Sequence, residues 1–269
     1  MGDSLGDRIK GYEERYSERL LPLIPTIARL DGKAFHTFTK GLRQPYSENL
    51  QKIMDKVTYK LVQYSSANVG YTQSDEITLI WYQPNYKSEI FFGGKQQKMC
   101  SILAGFTAIE FNRLIPALLP EKSAETALFD CRIFQVPTVD EAINCLIWRE
   151  FDAVRNSIQS AARAIYSHSQ CNNKNQSDLQ EMLHLRGINW NDYPARFKRG
   201  QYVTRVQTEK AFTPEEIAAL PEKHLARMHP NLIIKRIATE FRELPRLTQI
   251  INRKEVLFEG AEPILDENS

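Results

Sequence analysis

Cysteine is scarce in this sequence and is not used in pairs. Cys100, Cys131, Cys145 and Cys171 are its four cysteines. They are widely spaced, form no CxxC pair and have no histidine at ligand spacing, which argues against a disulfide or zinc framework and predicts reduced thiols. A long apolar run is also missing. No stretch reaches the length needed to span a bilayer, and the N-terminal "MGDSLGDRIKGYEERYSERL" is charged throughout, unlike a signal peptide. The expectation is a cytoplasmic protein with no membrane partner. Charge of one sign is lacking too: 35 Lys and Arg against 33 Asp and Glu leave a net +2. That balance is too small to establish a nucleic-acid partner. The local run "RFKRG", Arg196 to Gly200, reads either as a basic contact or as a solvated loop. Repeats and low-complexity segments are absent. What remains is 269 residues, 42% hydrophobic and 25% charged, enough to bury the core of one large domain or of a domain with an appendage.

Period and punctuation place the elements. "LIPTIARLDG" reads as a strand from Thr26 to Leu30 that ends in Asp31 and Gly32. Ser47 caps a helix carrying Leu50, Ile53, Met54, Val57 and Leu61 at helical spacing. "YTQSDEITLIWY", Tyr71 to Tyr82, reads as a hairpin, with Ile77, Leu79 and Trp81 on one face and Thr78, Ile80 and Tyr82 on the other. A second helix is expected from Met99, Ile102, Leu103, Phe106 and Ile109. A strand then presents Phe129, Cys131 and Ile133 before Pro137 stops it. Strand, helix, two strands, helix, strand is the ferredoxin-like split βαβ order, an α+β fold in which an antiparallel sheet carries helices on one face. It occupies residues 1–137.

Residues 138–210 read as a helical and loop region completing the core. Thr138 and Glu141 form a capping box. Ala142, Ile143, Leu146, Phe151, Val154, Ile158, Ala161 and Ile165 keep an apolar stripe to about Tyr166. Ser177 and Gln180 suggest the cap of a short helix through Leu183, which Gly187 closes. Residues 211–269 form a C-terminal extension to which the pattern assigns no role. There "TPEE", Thr213 to Glu216, starts a helix that Pro221 ends, and "NLIIKRI" and "KEVLFEG" read as short strands.

In a split βαβ sheet the first and third strands are central neighbours. Asp31 ends the first and Asp75 opens the third, so their side chains can converge. Because strand neighbours point to opposite faces, only one of Asp75 and Glu76 can face a given site. Two carboxylates with the Gly32 carbonyl make a hard oxygen environment suited to Mg²⁺ shared with substrate phosphates, as in two-metal phosphoryl transfer. The other reading makes Asp31 a turn former beside Gly32 and Asp75 an ordinary hairpin residue.

"ARLDGKAFHTFTKGLRQP", "GYTQSDEITLIW" and "INWNDYPARFKRG" together resemble the tRNA-His guanylyltransferase superfamily, in particular its bacterial-type members that add nucleotides in the 3'-to-5' direction. The resemblance runs from about Leu21 to Val206. It implies a polymerase-palm domain, the same split βαβ arrangement. It implies metal ligands at Asp31, Gly32 and Asp75, holding two Mg²⁺, with Asp31 and Asp75 catalytic. ATP and GTP or another NTP would be substrates. Lys33, Ala34, Phe35, His36, Lys40, Arg43, Ser74 and Glu76 would lie around the nucleotide, and Arg155, Asn156, Arg196, Lys198 and Arg199 would meet tRNA. A homotetramer is implied as well. Beside these implied roles, Phe35 also reads as a core aromatic, His36 as a structural histidine, and Lys40 with Arg43 as a solvated surface pair. One motif departs from the family: where it carries D-C-H-I-N-N, this chain has "DAVRNS", keeping Asp152 and Asn156 but placing Val154 and Ser157 at the His and second Asn. The implied activity is template-dependent addition of nucleotides to the 5' end of tRNA. ATP would activate a 5'-monophosphate end, and the 3'-hydroxyl of an incoming NTP would attack it. The alternatives are a dedicated enzyme adding one G to histidine tRNA, a palm-type nucleotide cyclase, and a noncatalytic RNA-binding module. The last lacks the mid-strand aromatic string such modules use.

Overall fold

A computed structural model describes residues 4–86, 89–229 and 231–266 of the protein. Its elements run α1 (Ser4–Glu14), β1 (Thr26–Gly32), α2 (Phe35–Phe38), α3 (Glu48–Ser65), β2 (Val69–Gln73), β3 (Glu76–Trp81), α4 (Gln96–Leu118), β4 (Phe129–Gln135) and α5 (Val139–Arg163). There follow α6 (His168–Cys171), α7 (Gln176–His184), α8 (Ala195–Arg199), β5 (Gln201–Ala211), α9 (Pro214–Ala219), α10 (Leu225–Met228), β6 (Ile233–Arg242) and α11 (Arg253–Phe258). The strands form one six-stranded sheet in the order β4-β1-β3-β2-β5-β6. Every neighbouring pair is antiparallel. Among the described residues no helix is long and apolar enough to cross a membrane, and all four cysteines are free.

Strand parity divides the sheet into two unlike faces. Ala28, Leu30, Ile77, Leu79, Trp81, Phe129 and Ile133 point to one side and pack on Ile53, Val57 and Leu61 of α3 and on Met99, Leu103 and Phe111 of α4. Helix α3 crosses closest at Gly70, where a Cβ would stand 2.6 Å from the Val62 side chain. On the other side Ile27, Val69, Tyr71, Ile80 and Tyr202 meet Ala142, Ile143 and Leu146 of α5 together with Leu247, Ile250, Val256 and Leu257. The far half of α5 packs separately, Ile158, Ala161 and Ala162 against Leu179, Leu183 and Trp190.

The split βαβ core and its helices are where the periodicity puts them, with Ser47 accepting from the Leu50 amide and Thr138 from that of Glu141. Several local expectations are corrected. "KEVLFEG" is not a strand but helix α11, in which the adjacent Val256 and Leu257 are both buried, as neighbours on one side of a helix are and alternating strand residues are not. In α4 the buried positions are Met99, Leu103, Thr107, Glu110, Phe111 and Ile115, whereas Ile102 and Ile109 are exposed. The stripe along α5 breaks at Phe151, which is exposed. Arg149, Glu150, Ala153 and Ser157 take the buried face there. Helix α7 begins earlier than Ser177, with a capping box between Asn175 and Asp178. The segment "QYVTRVQTEKA" gave no strand signal yet forms β5, and "NLIIKRI" lies at the start of β6 beside it. The sheet is therefore covered on both faces. The residues after 211 contribute an edge strand and part of a core.

Candidate active site

The β2–β3 turn is built around Ser74, whose φ of 49° puts it in the left-handed region, and Asp75, whose Oδ1 accepts from the Ser74 hydroxyl at 2.9 Å. Asp31 lies between two other carboxylates in register: Glu76 opposite it on β3 and Asp130 opposite it on β4. Asp75 stands one residue before Glu76, so the turn delivers it to the same end of the sheet. Burial lifts the carboxyl of Asp31 above its ordinary range, and Asp130 adds to the lift, against the pull of Arg132, Arg29 and Arg149. Burial does the same to Asp75 with Asp31 adding, while the Ser74 hydrogen bond resists.

Crowded, partly desolvated carboxylates favour a cation between them. Among the described residues no three or more His, Cys, Asp or Glu converge as a metal cage. Two carboxylates and the Gly32 carbonyl therefore leave most coordination positions to water and phosphate, which is how Mg²⁺ is usually held. The donor set fits that ion.

Glu76 lies on the same side of the sheet as Asp31 but is committed to an ion pair. The Arg149 guanidinium holds it: Nη2 donates to Oε2 at 2.8 Å, and Nε closes to 2.7 Å from Oε1 as an ion pair without hydrogen-bond alignment. Arg149 also donates to Asp152 Oδ2 at 2.7 Å and lies over the Trp148 ring. Burial raises the Glu76 carboxyl to about 7 despite this partner. Arg149 is thus the tie between α5 and the β2–β3 hairpin.

The segment after β1 divides its residues. Ala34 has φ 55°, starting the short α2. Phe35 turns inward, its ring 5.2 Å from that of Phe129 and 5.4 Å from that of Phe111, so it is the core aromatic of its two readings. A Cβ on Gly32 would meet the Phe35 ring at 2.2 Å, so this close packing needs glycine there. Lys33, Ala34, His36 and Lys40 are exposed, and His36 Nε2 lies 3.1 Å from the Thr37 hydroxyl.

Beside the turn a cleft of about 190 Å³ collects Arg43, Ser74, Asn156 and Arg196, with Tyr46 and Phe197 stacked at 4.6 Å in its wall. Four of the residues singled out in the sequence thus share one cleft. Lys33, Ala34, His36, Lys40, Arg155 and Lys198 do not line it. Arg196 is anchored as well as placed, its Nε donating to Asp55 Oδ1 at 2.7 Å. Arg155 pairs with Asp152. Lys198 donates to the Asn191 carbonyl and lies over Trp190. In the altered motif Val154 packs in the α5–α7 cluster, and the Ser157 hydroxyl accepts from Trp190 Nε1 at 3.2 Å. Both positions serve packing here. Arg149 and Asp55 were not singled out in the sequence. Helical spacing from Leu146 to Ala153 brings Arg149 and Glu150 onto the buried face, a signal the exposed-looking charges conceal.

A profile of the tRNAHis guanylyltransferase family matches residues 6–137. A bacterial tRNA(His) guanylyltransferase (Thg1)-like protein solved in complex with GTP is 30% identical, with a TM-score of 0.70 over 94% of this chain and 97% of that one. The complex of a bacterial protein of the same description with ATP aligns with a TM-score of 0.74 and 29% identity over 95% and 97% of the two chains. The tRNA(His) guanylyltransferase of Saccharomyces cerevisiae is 26% identical over 72% of this chain and 89% of its own. The palm-type sheet, the carboxylates at the ends of its central strands and these likenesses agree: the chain belongs to the tRNA(His) guanylyltransferase family of nucleotidyltransferases.

Proposed function

We propose that this enzyme restores missing nucleotides at the 5' end of tRNA, adding them in the 3'-to-5' direction and choosing each by pairing with the opposite strand. The observation that carries this reading is the crowding of Asp31 and Asp75 at one end of the sheet beside a cleft holding Arg43 and Arg196. Nucleoside triphosphates are polyanions, and the cleft holds the cations Arg43 and Arg196 together with Ser74, the residue before Asp75; Asp31 and Asp75 do not line it themselves. Mg²⁺ bound by Asp31, Asp75 and the Gly32 carbonyl would lower the pKa of an attacking hydroxyl and neutralise charge on the transferring phosphorus. The chain's own residues do the positioning. The Ser74 hydroxyl orients Asp75, and Arg149 fixes Glu76 and with it the hairpin. Arg43 and Arg196 bind the triphosphate, with Arg196 held at its angle by Asp55. The reaction joins the NTP 3'-hydroxyl oxygen to the activated 5'-phosphorus and releases AMP or pyrophosphate from it.

Val154 is apolar, and the Ser157 hydroxyl, although in the cleft wall, is already engaged by Trp190 Nε1 and the Val154 carbonyl. Base selection then rests on pairing geometry, which aligns the 3'-hydroxyl only for a matched nucleotide. A second reading, addition of a single G to histidine tRNA, is favoured by the yeast relative's name. Transfer RNAs shortened at the 5' end, each given one NTP at a time with ATP and Mg²⁺, separate the two. Repair predicts addition of the complementary base on several tRNAs. Addition of G alone, to histidine tRNA alone, overturns it.

A further inference from the structure

A second cleft, of about 340 Å³, shares Arg196 with the first. Helix α8 forms one wall through Arg196 and Arg199. The segment leaving β6, Arg242 to Pro245, forms the other, with Glu150 and Tyr202 between them. Its walls therefore come from parts of the chain some forty positions apart, one of them in the C-terminal extension.

The cleft is built and positively charged. Gly200 ends α8 at φ 81°, where a Cβ would stand 2.6 Å from the Thr72 carbonyl oxygen, and the buried Tyr71 hydroxyl donates to the Arg199 carbonyl at 2.7 Å. The end of α8 is thus pinned to β2. Arg199 and Arg246 have no carboxylate within ion-pair distance among the described residues. Nη2 of Arg196 is buried with no hydrogen-bond acceptor. On the neighbouring Lys198, burial and then the charge of Arg199 lower the ammonium's pKa, with Asp192 opposing and Arg246 adding. Glu150 lies in the same cleft, its two oxygens accepting from the Tyr202 hydroxyl and the Leu247 amide, each at 3.0 Å, and it acts electrostatically on Arg199 and Arg246 without an ion-pair contact to either. Glu243 is exposed at the rim.

We propose that this second cleft is a phosphate subsite for the RNA strand whose 5' end reacts at Asp75, with Arg199 in its wall and the exposed Arg246, one residue beyond the lining segment, as its charge-bearing residues. The proposal rests on the tRNA reading. It gives the C-terminal extension a task, supplying Arg246 and the cleft's second wall. A strand starting at the β2–β3 turn would pass Arg196, the residue common to both clefts, and place a backbone phosphate between α8 and the β6 exit. A phosphodiester suits the site because it is a fixed anion that two guanidinium groups can grip through charge-assisted hydrogen bonds. Sequence is not read there, since phosphate contacts carry register rather than base identity.

The test measures binding of a 5'-triphosphorylated acceptor-stem hairpin RNA across a salt series, and separately of ATP, for the wild type, Arg246→Gln, Arg199→Gln, Arg199→Lys and the double Gln variant. The expected result is RNA affinity reduced about tenfold in the double variant and a salt slope smaller by about one for each charge removed, with ATP affinity unchanged. Arg199→Lys keeps the charge and should keep the wild-type slope, which a merely structural role for Arg199 would not predict. Unchanged RNA affinity and slope in the Gln variants, with the wild type binding RNA, overturn the subsite alone. A parallel loss of ATP affinity overturns it in favour of a nucleotide site. Failure of the wild type to bind the RNA overturns the tRNA reading and the subsite together.

Discussion

The two faces of the sheet are made from the same strands and have different compositions. Toward α3 and α4 the strands present Ala28, Leu30, Ile77, Leu79 and Phe129 in a continuous apolar layer. Toward α5 they start the same way, with Ile27 and Ile80, and then turn to Asp31, Glu76 and Asp130 at one end. Alternation makes this separation available without lengthening the chain: one residue stabilises while its neighbour carries charge. The first face can be optimised for packing alone. The second holds Asp31 and Glu76, whose carboxyls burial raises above their ordinary range, a record of the cost of keeping them there.

The comparison is sharpest at the proposed metal ligands. Asp75→Ala or Asp31→Ala should lower nucleotide addition by about a thousandfold or more, because the charge neutralisation they supply acts on the transferring phosphorus. The thermal midpoint should hold or rise slightly, since a desolvated carboxylate is removed. Retained activity at ordinary Mg²⁺ would dissolve the distinction between faces. Leu79→Ala, on the other face and fully buried, should do the opposite, costing about 3 to 4 kcal/mol in urea unfolding with kcat of the folded fraction unchanged. Arg149→Ala sits between these extremes and should affect both. It strands the Glu76 carboxyl with the loss of its ion-pair partner, a destabilisation of about 3 kcal/mol at pH 8 that shrinks below pH 7, where Glu76 takes up a proton. A pH-independent loss would show that Glu76 is not the group left unpaired.

The smallest effect concerns Glu150. Its carboxyl is raised from 4.5 to about 7 by burial, so the folded chain holds a proton that the unfolded chain releases. Its contribution is most favourable below about 4.5 and is lost as pH rises through about 7. Glu150→Gln can accept from the Leu247 amide and donate to the Tyr202 oxygen, so it should match the wild type near pH 5 and be modestly more stable at pH 8. Thermal unfolding across that range measures the difference. A variant less stable at every pH would mean that the carboxylate itself is needed.

The apolar face was legible because its strands alternate and α3 starts at the Ser47 cap, although α4 has no side-chain cap. Asp31 and Asp75 were legible because they stand at strand ends beside Gly32 and Ser74. What the sequence concealed was the middle of α5. Phe151 there invites a continuation of the apolar stripe, while Arg149 and Glu150 look like solvent residues, and only their partners, Glu76 and Tyr202 with Leu247, make burial tolerable. Those partners are distant in sequence, so no local pattern announces them. Strand β5 was hidden for another reason: its buried residues Tyr202, Val203, Thr204 and Val206 lie within its first half, and the rest, polar and mostly exposed, pairs only with β6.

The layer that closes the charged face is assembled late. Leu247, Ile250, Val256 and Leu257 lie more than 160 positions after Val69 and Ile80, the strand residues they cover. A growing chain on the ribosome can form the α3 and α4 layer from its first 137 residues, but Ile27, Val69 and Ile80 remain incompletely covered until this distant segment emerges. Long-range closure of this kind slows folding and prolongs the exposure of sticky surface. The nascent enzyme thus spends much of its synthesis with one hydrophobic layer shut and the other open to chaperones.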